Sequence, residues 1–357
     1  MKNHALIDRE LPPQRPLRTT RTGRLGASRR TRTAGVAVLM LVVVLIGIGA
    51  LSQILSGLSL TEIREELVRI PTPRIALSAG LTIVSYVVLT GYDVMSLRII
   101  GRRVAYRTAA LASFTSYVFS HNLGFALITG GVARLRIYRR KGLTPGEVMQ
   151  IMIMTGMTFW MGVLLLLGIG FVAIPDALAM GGWHASHSLQ AGSGMMILVL
   201  LAGYVAILHR RAGQALQLFG WTLVLPAPRT AAVQFLLAAI DLILATAALF
   251  VLVPDLSITM FPAMLIGYLL AFLSGLLAHA PGGVGVFEAV MLLALPDVDR
   301  SALFAALLMF RLIYYLTPLG IGIVLFAAHE LHSRRHSANP VTDDGSLSPT
   351  GAIRRSF

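Results

Sequence analysis

The sequence predicts an all-α polytopic membrane bundle of about seven to nine hydrophobic helices, some of them broken or re-entrant. Three observations carry that prediction. Of the 357 residues, 56% are hydrophobic and only 13% charged, against ~25% charged in a soluble domain, and the mean hydropathy is +0.76. The net charge of +14 is spread between apolar runs, which is how membrane topology and contact with anionic lipid are written in a sequence. Finally, a long apolar segment is interrupted at Pro281-Gly282-Gly283 and Gly285 and resumes with a carboxylate, Glu288.

The elements follow in order. Residues 1–33 are polar and basic and predict a disordered cytoplasmic N-terminus. Ala34 to Leu55 reads as a retained span rather than a cleaved signal. From Ser59 to Ile70 apolar residues recur at helical spacing behind a Ser59/Glu62 capping box, which predicts a short helix in the outer interface, stopped by Pro71 and Pro73. The next span runs from about Arg74 to Leu97, with Asp93 at its end reading as a capping or solvated carboxylate. Thr108 to Gly130 breaks the alternation. If it crossed, the basic residues of 131–147 would lie outside, so the reading is a re-entrant hairpin on the cytoplasmic side, broken at Ser120-His121-Asn122-Leu123-Gly124. Val148–Ala173 then goes out, 174–192 is an outer loop, and Gly194–Leu208 returns. Thr230–Val253 goes out, with Asp241 near its middle. The piece after the Pro-Gly-Gly break, Val284–Leu295, is too short to cross at 1.5 Å per residue, so 258–295 reads as a second hairpin, dipping from outside. Ser301–Ala328 is the last span of a membrane domain covering 34–328, and 329–357 is a disordered cytoplasmic tail.

Charge counting supports this layout. Nine, four, five, three and four Lys or Arg fall in 1–33, 98–107, 131–147, 209–229 and the tail. The outer stretches hold Arg64, Arg69, Arg74 and Arg300. Both termini are therefore expected inside.

A Gly/Pro break in hydrocarbon leaves backbone groups that lipid cannot satisfy, so Gly282 and Gly283 should line a cavity or pack inside protein. Ionisable groups at that depth mark functional sites. The set is Asp93, His121, Arg134, Asp241, His279, Glu288 and Arg311. Arg311, flanked by Tyr314 and Tyr315, needs either a carboxylate (Glu288 or Asp241) or a lipid phosphate, which a guanidinium fork grips with two parallel hydrogen bonds. Arg134, directly after Gly130-Gly131, is placed to reach into a cavity. Asn122 belongs to the first break. Met149–Met161 reads as core filling. With no cysteine, disulfides, thiolate catalysis and Cys–metal sites are excluded, and no His-Glu-x-x-His spacing, phosphate loop or nucleophile–base pair occurs. The expectation is a protein without metal, cofactor, catalytic residue or nucleic-acid partner. Two breaks, one entering from each side, imply inverted halves meeting near the midplane.

Several stretches, taken in order, resemble the membrane domain of the bacterial lysylphosphatidylglycerol synthase/flippase (multiple peptide resistance factor) family. They are Gly91-Tyr92-Asp93 with Leu97-Arg98, Tyr117 to Gly124, Gly130 to Arg134 through Tyr138, Gly142-Leu143-Thr144, Asp241-Leu242, His279 to Glu288, and Arg311 to Pro318. The sequence departs at His121, where similar proteins often carry Asn, and with 29 residues after the last expected span the expectation is a form without the large soluble aminoacyl-transferase domain. The resemblance implies an inner-membrane lipid flippase, linked to antimicrobial-peptide resistance, that moves an anionic or aminoacylated phospholipid such as lysylphosphatidylglycerol. Arg134 and Arg311 would hold the phosphate. Glu288 and Asp241 would face a cationic headgroup or balance the arginines, with Asn122, Gly282, Gly283 and Tyr315 completing the site. Phospholipids, a separately encoded aminoacyl-transferase and a second copy of the chain are the partners to consider. The alternatives are the membrane part of an enzyme acting on lipid-linked intermediates and a scaffold for a separate transferase.

Overall fold

The computed structural model describes residues 59–123, 129–174, 186–211, 215–218, 221–224, 226–278 and 281–338. The expected first span, Ala34–Leu55, and His279 lie outside them. Helix α1 (Leu60–Arg69) has the predicted cap: Ser59 Oγ accepts from the Glu62 N–H at 3.1 Å, and Glu62 accepts from the Ser59 N–H at 3.1 Å. Its apolar stripe buries Ile63 and Ile70. Proline ends α1 at Pro71 but does not delay the next helix. Pro73 sits in the first turn of α2 (Thr72–Ile99), where a missing N–H costs nothing.

Helix α3 (Tyr106–Leu123) and helix α4 (Thr129–Arg139) pack against each other as the first hairpin. Gly130 lets them close up, since a Cβ there would come within 2.2 Å of Ser120 Oγ. The return arm α4 continues to Arg139, so half of the stretch read as a basic loop is helix. At ~1.5 Å per residue its 11 residues are too short for a ~30 Å hydrocarbon core. The two ends of the hairpin are adjacent. Arg102, just before α3, pairs with Glu147, just after α4, at 2.5 Å. A hairpin whose ends touch enters and leaves on one side.

Helices α5 (Pro145–Ala173) and α6 (His187–Arg211) follow, the latter longer at both ends than the expected Gly194–Leu208. A short antiparallel hairpin, β1 (Ala215–Leu218) and β2 (Trp221–Val224), pairs Ala215 with Val224 and Leu218 with Trp221. It departs from an all-α reading only within a connection. Helix α7 (Pro228–Phe250) packs against α2 and α5. Next, α8 (Phe261–Leu277) and α9 (Val286–Ala294) form the second hairpin. Its antiparallel register appears in two close approaches, Gly267 with Ala294 and Gly275 with Gly283.

The last described residues form a continuous helix, α10 (Arg300–Phe310), one π-helical stretch (Arg311–Leu316) and α11 (Thr317–Ala338). It runs past the expected end at Ala328. Six helices among the described residues are long and apolar enough to cross a membrane: α2, α5, α6, α7, α8 with its preceding turn, and the long last helix.

That last helix organises the hairpins. The first lies along its C-terminal half, where Phe114 and Val118 meet Gly322, the rings of Phe119 and Phe326 are 5.7 Å apart, and Arg140 reaches Glu330 at 2.9 Å. The second lies along the other half, with the Tyr268 ring 6.1 Å from Phe310. The hairpins thus approach from opposite ends and meet at the π-helical stretch.

Candidate functional site

Where the hairpins meet, the backbone is irregular on purpose. Gly282, Gly283 and Gly285 have φ of 62°, 66° and 84°, conformations that cost an L-residue ~1–2 kcal/mol each. A Cβ on Gly282 would lie 3.6 Å from both an Arg311 nitrogen and the Asn122 carbonyl oxygen, so the tips of the two hairpins touch there. Glu288 sits in the first turn of α9. One oxygen accepts from the Gly285 N–H at 2.8 Å, closing the helix start, and the other accepts from Arg311 Nε. Arg311 Nη1 donates to the Gly282 carbonyl at 2.8 Å, which gives a carbonyl of the interrupted backbone its donor. From the other tip, Asn122 Nδ2 donates to the Tyr315 carbonyl at 3.3 Å. The Arg311 guanidinium lies 5.5 Å from the Tyr315 ring centroid and 5.8 Å from that of Phe287.

The wide turn of a π-helix explains how one element presents so much here. It adds a residue per turn and recurs at functional sites, and it faces Arg311, Tyr314 and Tyr315 inward together. Arg311 Nη2 is buried and has no hydrogen-bond partner among the described residues, and the same holds for His121 Nδ1. The His121 ring stands 6.4 Å from that of Tyr315. A part-buried guanidinium whose buried Nη2 keeps a spare donor can bind an oxyanion.

Arg134 is placed differently. It is buried in α4, and its Nε and Nη2 donate to Asp93 at 3.0 and 2.8 Å, while the Tyr138 hydroxyl donates to the same carboxylate at 2.7 Å. The fork assigned above to lipid phosphate is thus filled by a carboxylate of the chain. Asp93 is fully buried, which corrects its reading as a capping or solvated group: α2 continues to Ile99, so Asp93 lies within the helix. Asp241 joins neither arginine among the described residues. It accepts from Ser85 Oγ at 2.6 Å and from the Tyr92 hydroxyl at 3.4 Å.

Of the predicted residues, the fold brings Arg311, Glu288, Asn122, Gly282, Gly283 and Tyr315 together and sets Arg134 and Asp241 in separate buried clusters. Sequence reasoning missed Ser85, Tyr92 and Tyr138 as partners. A signal for the first two was present: Ser78, Thr82, Ser85, Tyr92, Asp93 and Ser96 are all on the buried side of α2, a polar stripe at helical spacing within an apolar span. Such a stripe marks a face turned to protein rather than lipid.

This geometry defines a polytopic membrane protein built around two opposed hairpins with a charged junction. The chain belongs to the family described as the lysylphosphatidylglycerol synthase TM region, which matches residues 33–322. It is 30% identical over 294 residues to the uncharacterized protein slr0712 of Synechocystis sp., covering 81% of this chain and 90% of that one. It is also 30% identical over 272 residues to the inner membrane protein YbhN of Escherichia coli, covering 73% and 82%. A shorter stretch of 60 residues, 42% identical, matches a phosphatidylglycerol lysyltransferase of Staphylococcus xylosus over 16% of this chain and 7% of that protein.

Proposed function

We propose that the protein is a bacterial inner-membrane lipid flippase that moves an anionic or aminoacylated phospholipid between leaflets, with both termini cytoplasmic. The observation that carries this reading is the Arg311 junction: two hairpins from opposite ends meet at a guanidinium whose buried Nη2 stays unfilled among the described residues. Arg311 takes the phosphodiester, Tyr315 and Asn122 shape the site, and Glu288 holds Arg311 in place and faces a cationic headgroup. Membership in this family and the inner-membrane location of the Escherichia coli relative support the lipid class and the compartment. Arg134, committed to Asp93, locks the first hairpin onto α2.

The test uses proteoliposomes of phosphatidylethanolamine and phosphatidylglycerol, with fluorescent phosphatidylglycerol, lysylphosphatidylglycerol or phosphatidylcholine in the outer leaflet. Loss of access to an impermeant quencher reports translocation. Faster movement of the first two lipids than in empty vesicles, with phosphatidylcholine lagging, is the expected result. No lipid moving faster than in empty vesicles overturns the reading. Single cysteines at 140 and 187, probed from outside with an impermeant thiol reagent, test orientation: 187 should label and 140 should not.

A further inference from the structure

Among the described residues the bundle buries three carboxylates, and they are not equivalent. Asp93 has Arg134 and Glu288 has Arg311. Asp241, 4% exposed in the middle of α7, forms no ion pair among the described residues. Its neighbours are hydroxyls. Ser85 Oγ from α2 lies at 2.6 Å, and Ser85 is itself 2.8 Å from the Tyr314 hydroxyl of the π-helical stretch. Tyr92, also from α2, completes the immediate set at 3.4 Å. The phenols of Tyr86 from α2, Tyr117 from α3 and Tyr268 from α8 stand within electrostatic reach. Helix α5, which also packs on α7, places Thr158 where it accepts from Gln234 and has its only ionisable residue, Glu147, at its far end.

An ionised carboxylate at this depth with no counter-cation is costly, whereas the neutral acid is tolerated. Hydroxyl neighbours suit both forms. Serine and tyrosine can donate to the anion, and serine can turn to accept from the acid. The cluster also bridges the two charged pairs. Tyr314 packs on Tyr315, centroids 5.5 Å apart, and Tyr315 lies under Arg311. Tyr92 meets Tyr117 at 5.9 Å, and Tyr117 lies under Arg134 at 5.2 Å.

We propose that Asp241 is a proton-binding site through which lipid movement is coupled to a proton, an inference that rests on the lipid reading above. The carboxylate takes one proton from water on the side to which the bundle is open and returns it to water on the other. Through Ser85, Tyr314 and Tyr315, its proton occupancy sets the position of the π-helical stretch and so of Arg311.

The experiment imposes a pH step across proteoliposomes of phosphatidylethanolamine and phosphatidylglycerol, with the membrane potential clamped, and follows fluorescent phosphatidylglycerol and lysylphosphatidylglycerol. For the native protein, a step of one unit changes the initial rate several-fold, up to the tenfold that ~1.36 kcal/mol allows for one proton per cycle. Asp241→Asn, which keeps the shape and one acceptor for Ser85 but puts an amide N–H where the other oxygen accepted from Tyr92, translocates at a rate indifferent to the step. In parallel, infrared difference spectra of the purified protein between acid and alkaline pH show a carboxylic-acid C=O band that Asp241→Asn removes, and Ser85→Ala moves its midpoint. Translocation that ignores the step in the native protein overturns the coupling and leaves the lipid reading standing. Absence of any translocation overturns both, while the band alone decides whether Asp241 binds a proton. A native spectrum without the band overturns the proton site whatever the lipid assay gives.

Discussion

The two hairpins each contribute one half of an arginine–carboxylate pair inside the bundle, and the pairs differ in what they leave over. In the first, the return arm α4 supplies Arg134, which meets Asp93 with two hydrogen bonds while Tyr138 adds a third; the side chains are 5% and 0% exposed. In the second, the return arm α9 supplies Glu288, and the arginine comes from the long last helix. There one carboxylate oxygen is spent on the backbone of Gly285, Arg311 spreads its donors over Glu288 and Gly282, and Nη2 stays unfilled among the described residues. The same two chemical groups therefore make a closed clamp in one place and an open grip in the other. The difference lies in the backbone. Along a regular helix Arg134 spends its fork on Asp93 and lies over the Tyr117 ring, whereas a glycine-rich break brings a backbone carbonyl and a tip-to-tip contact up to Arg311.

Breaking the closed pair should have the largest effect on folding. Arg134→Gln leaves Asp93 buried without its cation and should cost ~3–5 kcal/mol, read as a large loss of detergent thermostability. Asp93→Asn with Arg134→Gln should recover most of it. A double variant no more stable than the single one would show that the pair does more than neutralise itself.

At the open pair the expectation inverts, with function lost more than stability. Arg311→Gln combined with Glu288→Gln should fold and fail to translocate lipid, and Arg311→Lys should be impaired because a point charge lacks the planar fork. A double variant that regains translocation would reduce Arg311 to a structural ion-pair partner. The glycines between the tips come next. Gly282→Ala with Gly283→Ala forces two side-chain-bearing residues into positive φ, at ~1–2 kcal/mol each, although a Cβ has room at 3.6 Å or more. Translocation should fall while expression persists, and unchanged translocation would make the break a passive kink.

The smallest effect is a control remote from both pairs. Asp299 caps α10, accepting from the Ala302 N–H at 2.8 Å and from Ser301 Oγ. Those bonds, first that of Ser301, hold its carboxyl below the usual range. A depressed folded-state value means the contribution is present above the unfolded value, near pH ~4, and fades as pH falls through the folded one. Asp299→Ala should cost ~1 kcal/mol and leave translocation unchanged. The thermostability gap between it and the native protein should narrow below that pH.

Much of this was legible in the linear chain. Apolar length, basic clusters and the Gly/Pro break are local signals, because lipid imposes the same demand on every stretch: satisfy the backbone internally and keep charge out. Those demands alone locate both hairpins and the Arg311–Glu288 candidates, and the Ser59/Glu62 spacing locates the α1 cap. Tertiary structure decided the rest. Arg134 and Arg311 look equally available in sequence, and only packing shows that Asp93, 41 residues upstream of Arg134, already occupies one of them. Asp241 reads as one more ionisable residue until its neighbours turn out to be hydroxyls. A side chain announces what it can bind, but which partner fills it depends on helices brought together from distant parts of the chain, and hydrophobic periodicity carries no record of that distance.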